Sequence, residues 1–264
     1  MIISPTRGFV FFKPMKTAGS SVEFALALSC GPDDLVTGGD PGPETDAGFL
    51  QQNNVFKENN KKMLKFHFHT TPDILRSRIK KEDFDSVEKL KWITMTRNPW
   101  DCLVSYYWWC MCEYPVINKW ATIDETMSKK ESQKLFENFI FRMNGKARGL
   151  LASTLDECKP WEYIQNFNTQ FLDERMDHYI RYENIEQDFE HVVDSLGLYN
   201  VELPRFKTTQ KKLKKHYSYY YTNETKQIVA DGFKDYIEKF DYKFEWKDKK
   251  LSRRERANKR RNKK

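Results

Sequence analysis

Residues 8–21 read GFVFFKPMKTAGSS and contain the clearest strand-to-helix signal in the chain. Its first part, Gly8 to Lys13, is a short apolar run that ends at a proline, which is typical of a buried strand. Its second part is rich in small residues and leads into Ser20 to Ser29, where apolar side chains recur at helical spacing. Backbone N–H groups in such a turn and the positive end of the helix are suited to binding an anion.

The order of residues in this turn differs from the phosphate loop of nucleoside triphosphatases. That loop needs GxxxxGK[ST], with the lysine after the last glycine and a hydroxyl residue next to it. Here Lys16 comes three residues before Gly19, so the turn does not favour a Mg²⁺-dependent nucleoside triphosphatase or nucleotide kinase. Taken alone, the turn is equally compatible with a tight strand-to-helix connection whose lysines are solvated.

Strands and helices alternate along the rest of the chain, which predicts an α/β fold whose central sheet is mostly parallel and flanked by helices. We expect a single domain over residues 1–246, with a Gly-, Pro- and Asp-rich loop or insertion at 31–62. Segment 120–165 is predicted to be mainly helical and peripheral. Further strands are predicted at 64–68, 91–96 and 178–182. Two further helices are predicted to start after Thr71 and after Asn98, and two more are predicted at 185–196 and 222–240.

The basic character of the chain is concentrated at its end. Residues 247–264 carry eleven Lys or Arg and two acids, so this segment has a charge of +9 while the whole chain has +7. The rest of the chain is therefore slightly acidic, at −2. We predict a disordered, solvated tail, and an arm that contacts an anionic partner is the alternative.

Several classes of protein are excluded by the composition. No apolar run of membrane-spanning length and no signal peptide is present, so we expect a cytoplasmic protein without a membrane partner. Five cysteines without a CxxC pair indicate neither a disulfide framework nor a zinc site, and no metal is expected.

A second motif, RNPWDCLVSYY at 97–107, follows the predicted strand 91–96. Ligands of open α/β sheets bind outside the carboxyl ends of the strands, where Arg97 would offer a planar fork to a phosphate. Ser105, nearly two helical turns after Pro99, would add a hydroxyl. Alternatively, Arg97 pairs with an acid and Ser105 is packed. Two anion sites at neighbouring strand ends predict a ligand with two separated phosphate groups.

Together, KTAGSS after a strand and RNPxDxxxSYY further on resemble the sulfotransferases that use 3′-phosphoadenosine 5′-phosphosulfate (PAPS). The sequence is most similar to their carbohydrate branch, the heparan sulfate or uronyl 2-O-sulfotransferase type, in patches between residues 8 and 245. This resemblance implies transfer of a sulfuryl group from PAPS to an acceptor hydroxyl, with the bisphosphate PAP as product and no metal. Cys102 stands where many relatives carry Arg. The resemblance places the 5′-phosphosulfate on Lys13, Lys16, Thr17, Ala18, Gly19, Ser20 and Ser21, and the 3′-phosphate on Arg97 and Ser105.

Two histidines, His67 and His69 in KFHFHTTPD, lie on one face of the end of a predicted strand. Histidine titrates near neutrality and suits a base that removes the acceptor proton, whereas a metal site would need a third ligand that we do not find. The resemblance favours His69 as the base and His67 as its assistant, with Lys16 stabilising the leaving phosphate oxygen in a direct in-line transfer. His178, His191 and His216 are expected to have ordinary roles.

The segment KTTQKK at 207–212 is similar to a stretch near the donor in the 2-O-sulfotransferase type. Lys207 and Thr208 are therefore predicted to close over PAPS, and a solvated basic loop is the alternative. A glycan hydroxyl is the expected acceptor, and a small metabolite remains open. The rival functions are a P-loop-type nucleotide kinase, a polyanion- or nucleic-acid-binding protein acting through the tail, and a family member that binds PAPS without catalysis. Nucleic acid is not the expected partner, because the body of the chain is slightly acidic.

Overall fold

A central sheet organises the computed structural model, which describes residues 1–37, 66, 69–113, 128–145, 167–204 and 215–247. The strands in these ranges form one sheet, in the spatial order β3-β1-β2-β4-β5. β2, β4 and β5 are parallel neighbours, whereas β1 is antiparallel to both β2 and β3. The predicted, mostly parallel α/β sheet is thus confirmed. The strands are β1 (Ile2–Ser4), β2 (Phe9–Phe11), β3 (Leu35–Val36), β4 (Lys91–Thr96) and β5 (His178–Arg181).

Local capping explains where several helices begin and end. The Thr71 side chain accepts a hydrogen bond from the N–H of Ile74, and the Asn98 side chain accepts one from the N–H of Trp100. Gly197, at φ +63°, ends the helix before it, as predicted. The helices are α1 (Gly19–Ala27), α2 (Pro72–Arg78), α3 (Lys81–Glu88), α4 (Pro99–Glu113), α5 (Lys129–Met143), α6 (Ile185–Ser195), α7 (Asn223–Gly232) and α8 (Lys234–Phe240).

Helices cover both faces of the sheet. Alternate strand residues point to opposite faces, so Phe11 of β2 packs in one cluster and Val10 in another. The first cluster includes Val22 of α1 and Val192 of α6. The second includes Leu75 of α2. The sheet therefore lies between two helical layers, and its carboxyl edge is the place where β2 and β4 lead into new segments.

The largest apolar cluster is aromatic and joins α4 to α5, α7 and α8. Phe136 and Ile140 of α5 are fully buried in it, beside Tyr107 of α4. Within the segment 120–165, which was predicted to be mainly helical, the described part contains α5. Its predicted peripheral placement is wrong for α5, because the apolar stripe of this helix completes the aromatic core. No helix in the described ranges is long and apolar enough to cross a membrane.

The structure corrects two predictions and adds a strand that was not predicted. Within the predicted loop 31–62, β3 forms because Val36 pairs with Ile2 on the otherwise open edge of β1. β1 itself was not predicted. The helix predicted over 222–240 is two helices, because Phe233 leaves the helical conformation at φ −114°, ψ 23° and buries its ring in the aromatic cluster. The predicted strand 64–68 lies outside the described residues, apart from Phe66.

Candidate active site

The two sequence motifs meet at the carboxyl edge of the sheet. The turn of residues 12–18 follows β2, and Arg97 follows β4, the parallel neighbour of β2. A hydrogen bond joins them, in which Nη1 of Arg97 donates to the carbonyl oxygen of Lys16 at 2.6 Å. The structure therefore places both predicted anion-binding elements side by side.

The turn has the backbone form of an anion-binding nest. Lys16 and Ala18 adopt left-handed conformations, at φ 58° and 67°, which are uncommon for residues other than glycine. When left-handed residues alternate with a residue of negative φ, as they do here with Thr17, successive N–H groups point towards one side of the chain. No side chain caps the first turn of α1, and that turn contains no acidic residue. Its N–H dipoles are thus suited to stabilising a negatively charged group.

Hydrogen bonds and close packing fix this turn from within. Thr17 is fully buried, and its hydroxyl donates to the carbonyl oxygen of Pro14 at 3.1 Å. Gly19 lies against the stem of Lys13, where an added Cβ would come within 2.5 Å of the Lys13 Cγ. Glycine is thus the residue that allows α1 to start so close to the chain before it.

Lys13 is directed into the protein. Its side chain is 6% exposed, and its ammonium forms an ion pair with Glu23 of α1. The ammonium of Lys13 therefore has a carboxylate partner, and its contact with the 5′ group stays a prediction. The pair links the end of β2 to the second turn of α1.

Arg97 is buried and held in a fixed orientation. Its Nε and Nη2 donate to one carboxylate oxygen of Asp101, at 2.9 and 2.6 Å, and its guanidinium stacks on the Tyr182 ring at 3.8 Å. Burial alone would lower the pKa of Arg97, but the charge and hydrogen bond of Asp101, together with the nearby Cys102 and Tyr182, outweigh it, so the pKa is raised above its ordinary value. A guanidinium has five N–H donors. Among the described residues, Asp101 and the carbonyl of Lys16 accept three of them, so two remain for a ligand.

The face of α4 towards the turn carries Ser105 and Cys102. Ser105 is half-buried one helical turn after Asp101, and none of the described residues forms a hydrogen bond with its hydroxyl. Cys102 is 2% exposed, with Sγ 3.5 Å from the carbonyl oxygen of Met15. Burial raises the pKa of the Cys102 thiol to about 12, against the opposite effect of nearby Arg97. Cys102 therefore packs beneath the turn as a neutral thiol.

His69 is hydrogen-bonded to the turn of residues 12–18. Its Nδ1 lies 2.6 Å from the carbonyl oxygen of Lys13. A carbonyl only accepts, so in the neutral ring Nδ1 carries the proton and the lone pair is on Nε2. The main chain thus selects the tautomer whose Nε2 can act as a base.

An aromatic residue of α4 lies beside the lysine of the turn. The ammonium of Lys16 is 5.6 Å from the centre of the Trp109 ring, which in turn stacks on Tyr106. A cation at this distance from an indole is attracted by its π-electrons. Trp109 therefore contributes to the placement of the Lys16 side chain.

Two residues of the site were missed by sequence reasoning. The side chain of Asn168 bonds both the N–H and the carbonyl of Met15, at 2.8 and 2.7 Å. Glu183 accepts the N–H of Asn98 at 2.7 Å. No local pattern marks Asn168, because its partner lies 153 residues away along the chain.

A cavity of about 260 Å³ opens beside the Arg97–Asp101 pair. Its three carboxylates make it unfavourable for a further phosphate group, whereas its amide, hydroxyl and imidazole groups can bind neutral polar groups. It is lined by Asn98, Asp101, Tyr182, Glu183, His216, Tyr217 and Glu245.

Other predicted site residues lie outside the described ranges, namely His67, Lys207 and Thr208. Across the described ranges, no cluster of three or more His, Cys, Asp or Glu is arranged to hold a metal ion.

Comparison with known proteins gives one match. The family model described as "Sulfotransferase domain" matches residues 44–263. This range contains the Arg97 motif and both histidines but begins after the turn of residues 12–18, so it is independent of the KTAGSS motif. No curated protein and no solved structure matches the chain.

Proposed function

The chain belongs to the sulfotransferase domain family, and on this premise we propose that it moves the sulfuryl group of PAPS to a hydroxyl of a carbohydrate. It is an enzyme of the sulfotransferase class, whose domains use PAPS as the sulfate donor and act on hydroxyl-bearing acceptors. The proposal concerns this chain's own donor site, its base and the nature of its acceptor.

The proposal for the donor rests on the hydrogen bond between the Arg97 guanidinium and the carbonyl oxygen of Lys16. It joins an uncapped helix start, suited to one phosphate, to a buried guanidinium with unused donors, suited to another. PAPS carries two such groups, the 5′-phosphosulfate and the 3′-phosphate, on one nucleoside. ATP also has a phosphate chain but lacks a 3′-phosphate for Arg97.

In this proposal each element of the site holds one end of the donor. The backbone of residues 17–21 and the ammonium of Lys16 bind the 5′-phosphosulfate, while Arg97 and Ser105 bind the 3′-phosphate. Lys13, whose ammonium is paired with Glu23 of α1, is proposed to contact the 5′-phosphosulfate as well. Lys207 and Thr208 would close over the bound nucleotide.

The reaction we propose is a direct displacement at sulfur. The acceptor oxygen forms a bond to sulfur while the bond from sulfur to the bridging oxygen of the 5′-phosphate breaks, which releases PAP. Nε2 of His69 takes the acceptor proton, since its Nδ1 proton is held by the Lys13 carbonyl. Lys16 stabilises the charge that develops on the departing oxygen, and His67 assists in binding the acceptor.

A carbohydrate is proposed as acceptor because the His-x-His segment and the turn are most similar to those of the 2-O-sulfotransferase type. A small metabolite with a hydroxyl is the alternative. We propose that residues 1–246 form the catalytic unit, with 247–264 as a solvated tail.

The test is transfer of radiolabelled sulfate from PAPS to a panel of uronic-acid-containing glycans and small alcohols. Lys16→Ala and His69→Ala should each lower kcat on the order of 100-fold, a typical loss for removal of such a group. Lys91→Ala and His191→Ala are matched controls, since both residues lie away from the turn, Lys91 at the start of β4 and His191 on α6. Absence of transfer to every acceptor, or near-normal kcat in His69→Ala, would contradict the donor or the base assignment respectively.

A further inference from the structure

Asn168 holds the main chain of the turn with both polar atoms of its side chain. Its Oδ1 accepts the N–H of Met15 at 2.8 Å, and its Nδ2 donates to the carbonyl oxygen of the same residue at 2.7 Å. The orientation of the amide follows from its partner, because a backbone N–H can only donate and a carbonyl can only accept. Asn168 is 4% exposed, so water does not compete strongly for these bonds.

The residue that follows Met15 is Lys16, whose backbone has the left-handed φ of 58°. This conformation is strained for a residue other than glycine, which keeps it only where its surroundings impose it. Here Asn168 fixes the peptide before Lys16, and Arg97 fixes the carbonyl after it. The turn is therefore held on both sides of Lys16 by side chains from distant segments.

Asn168 is itself placed rigidly. Its backbone is left-handed, at φ 60°, and its carbonyl accepts the N–H of Phe171 in a short 3₁₀ turn. Phe167 and Phe171 on either side are buried in two different apolar clusters. A side chain anchored in this way can impose a conformation on the turn without adapting to it.

We infer that Asn168 is a positioning residue, which holds the main chain at Met15 so that Lys16 and the start of α1 face the transferred group. This role rests on the proposed function, since it assigns to Lys16 the stabilisation of the leaving oxygen. Misplacement of a catalytic group by about 1 Å lowers a rate on the order of 100-fold. We call the two hydrogen bonds from the Asn168 side chain to Met15 the clamp. Its loss should reduce kcat more than it weakens donor binding, to which many backbone groups contribute.

The most informative variant is Asn168→Gly. It removes both bonds to Met15, while glycine adopts the left-handed backbone at this position without strain. Asn200→Gly is the matched control, because Asn200 is an exposed asparagine with φ 58° after α6, away from the turn. The pair thus separates the loss of the clamp from the general effect of glycine on the unfolded chain.

In Asn168→Gly we expect kcat for sulfate transfer to fall on the order of 10- to 100-fold, with the Kd for PAP changed by less than about threefold. Hydrogen exchange at the Met15 amide should also become faster, since its acceptor is lost. In Asn200→Gly all three quantities should match those of the unchanged protein. A folded Asn168→Gly protein with kcat within about twofold of the unchanged protein would overturn the inference.

A second variant serves if Asn168→Gly does not fold. In Asn168→Asp the ionised carboxylate keeps an acceptor for the Met15 N–H but places a negative oxygen against the Met15 carbonyl. The protonated acid restores a donor, so kcat relative to the unchanged protein should rise as pH falls. A pH-independent ratio near one would also overturn the inference. Failure of the unchanged protein to transfer sulfate from PAPS would instead refute the proposed function, and the positioning role with it.

Discussion

Addition of one methyl group at Gly19 should damage the donor site and lower stability. A Cβ there would lie 2.5 Å from Cγ of Lys13 and 3.2 Å from its Cδ. The shorter distance is about 1 Å below the onset of ordinary contact at 3.4 Å. Lys13 cannot readily swing away, because its ammonium is paired with Glu23 and its stem is buried. The overlap must therefore shift the start of α1 or break the ion pair, at a cost of about 1–3 kcal/mol.

The comparison is between Gly19→Ala and Gly31→Ala, followed by thermal unfolding and by calorimetric titration with PAP. At Gly31 the nearest atoms are 3.9 Å or more from an added Cβ, so alanine fits. For a chain of this size each kcal/mol lowers the unfolding temperature by roughly 2–4 °C. We expect Gly19→Ala to lose roughly 2–12 °C and to bind PAP more weakly, with Gly31→Ala nearly unchanged. Equal unfolding temperatures and equal PAP affinities for the two variants would refute the packing argument.

Three further predictions follow from buried groups. Burial raises the pKa of Cys102 to about 12, so its thiol should resist alkylation by iodoacetamide near neutral pH and react after unfolding. Labelling of Cys102 in the folded protein, located by peptide mass spectrometry, would contradict this. Tyr236→Phe removes the hydroxyl that accepts the main-chain N–H of Arg97, and should lower the free energy of unfolding by about 1–3 kcal/mol in urea titrations. An unchanged free energy of unfolding would count against that hydrogen bond. Burial, and then the charge of Lys91, lowers the pKa of His178, so the unfolded chain binds the extra proton. Stability should therefore decline as pH falls below about 6.5, less so in His178→Gln, and equal pH dependence of the two proteins would contradict the shift.

Features set by local chemistry were predicted well. Strand 91–96 has the predicted bounds, and Asn98 and Pro99 mark the start of α4 as expected. Capping and the preference of proline for the first helical turn act within a few residues, so they are legible in a single sequence. The two anion-binding motifs could also be placed, because parallel strands bring their carboxyl ends to one edge of a sheet.

Features that depend on distant partners were not predicted. Nothing near Asn168 in the sequence points to Met15, and the left-handed conformation of Lys16 runs against the preference of lysine. β1 and β3 are too short to give a pattern and exist because they pair with each other and with β2. The burial of Lys13 on Glu23 likewise follows from the packing of α1 against β2.

The position of Arg97 shows how both alternatives for one residue can hold. Sequence reasoning allowed either a phosphate ligand or a partner for an acid, and the structure pairs Arg97 with Asp101. The ion pair with Asp101 leaves N–H donors on the guanidinium, so it orients Arg97 without using all of its donors. The 3′-phosphate would then share Arg97 with Asp101.

The most direct test of the account is calorimetric titration with PAP and with 5′-AMP, which lacks the 3′-phosphate, both in the presence of EDTA. Charged hydrogen bonds contribute about 1.5–3 kcal/mol, so the unchanged protein should prefer PAP by roughly 10- to 100-fold. Arg97→Ala should abolish this preference, while a Gly31→Ala control retains it. Equal affinity for the two nucleotides in the unchanged protein would contradict the assignment of PAPS as donor. Tighter binding of ATP with Mg²⁺ than of PAP, in a separate titration without EDTA, would contradict it as well.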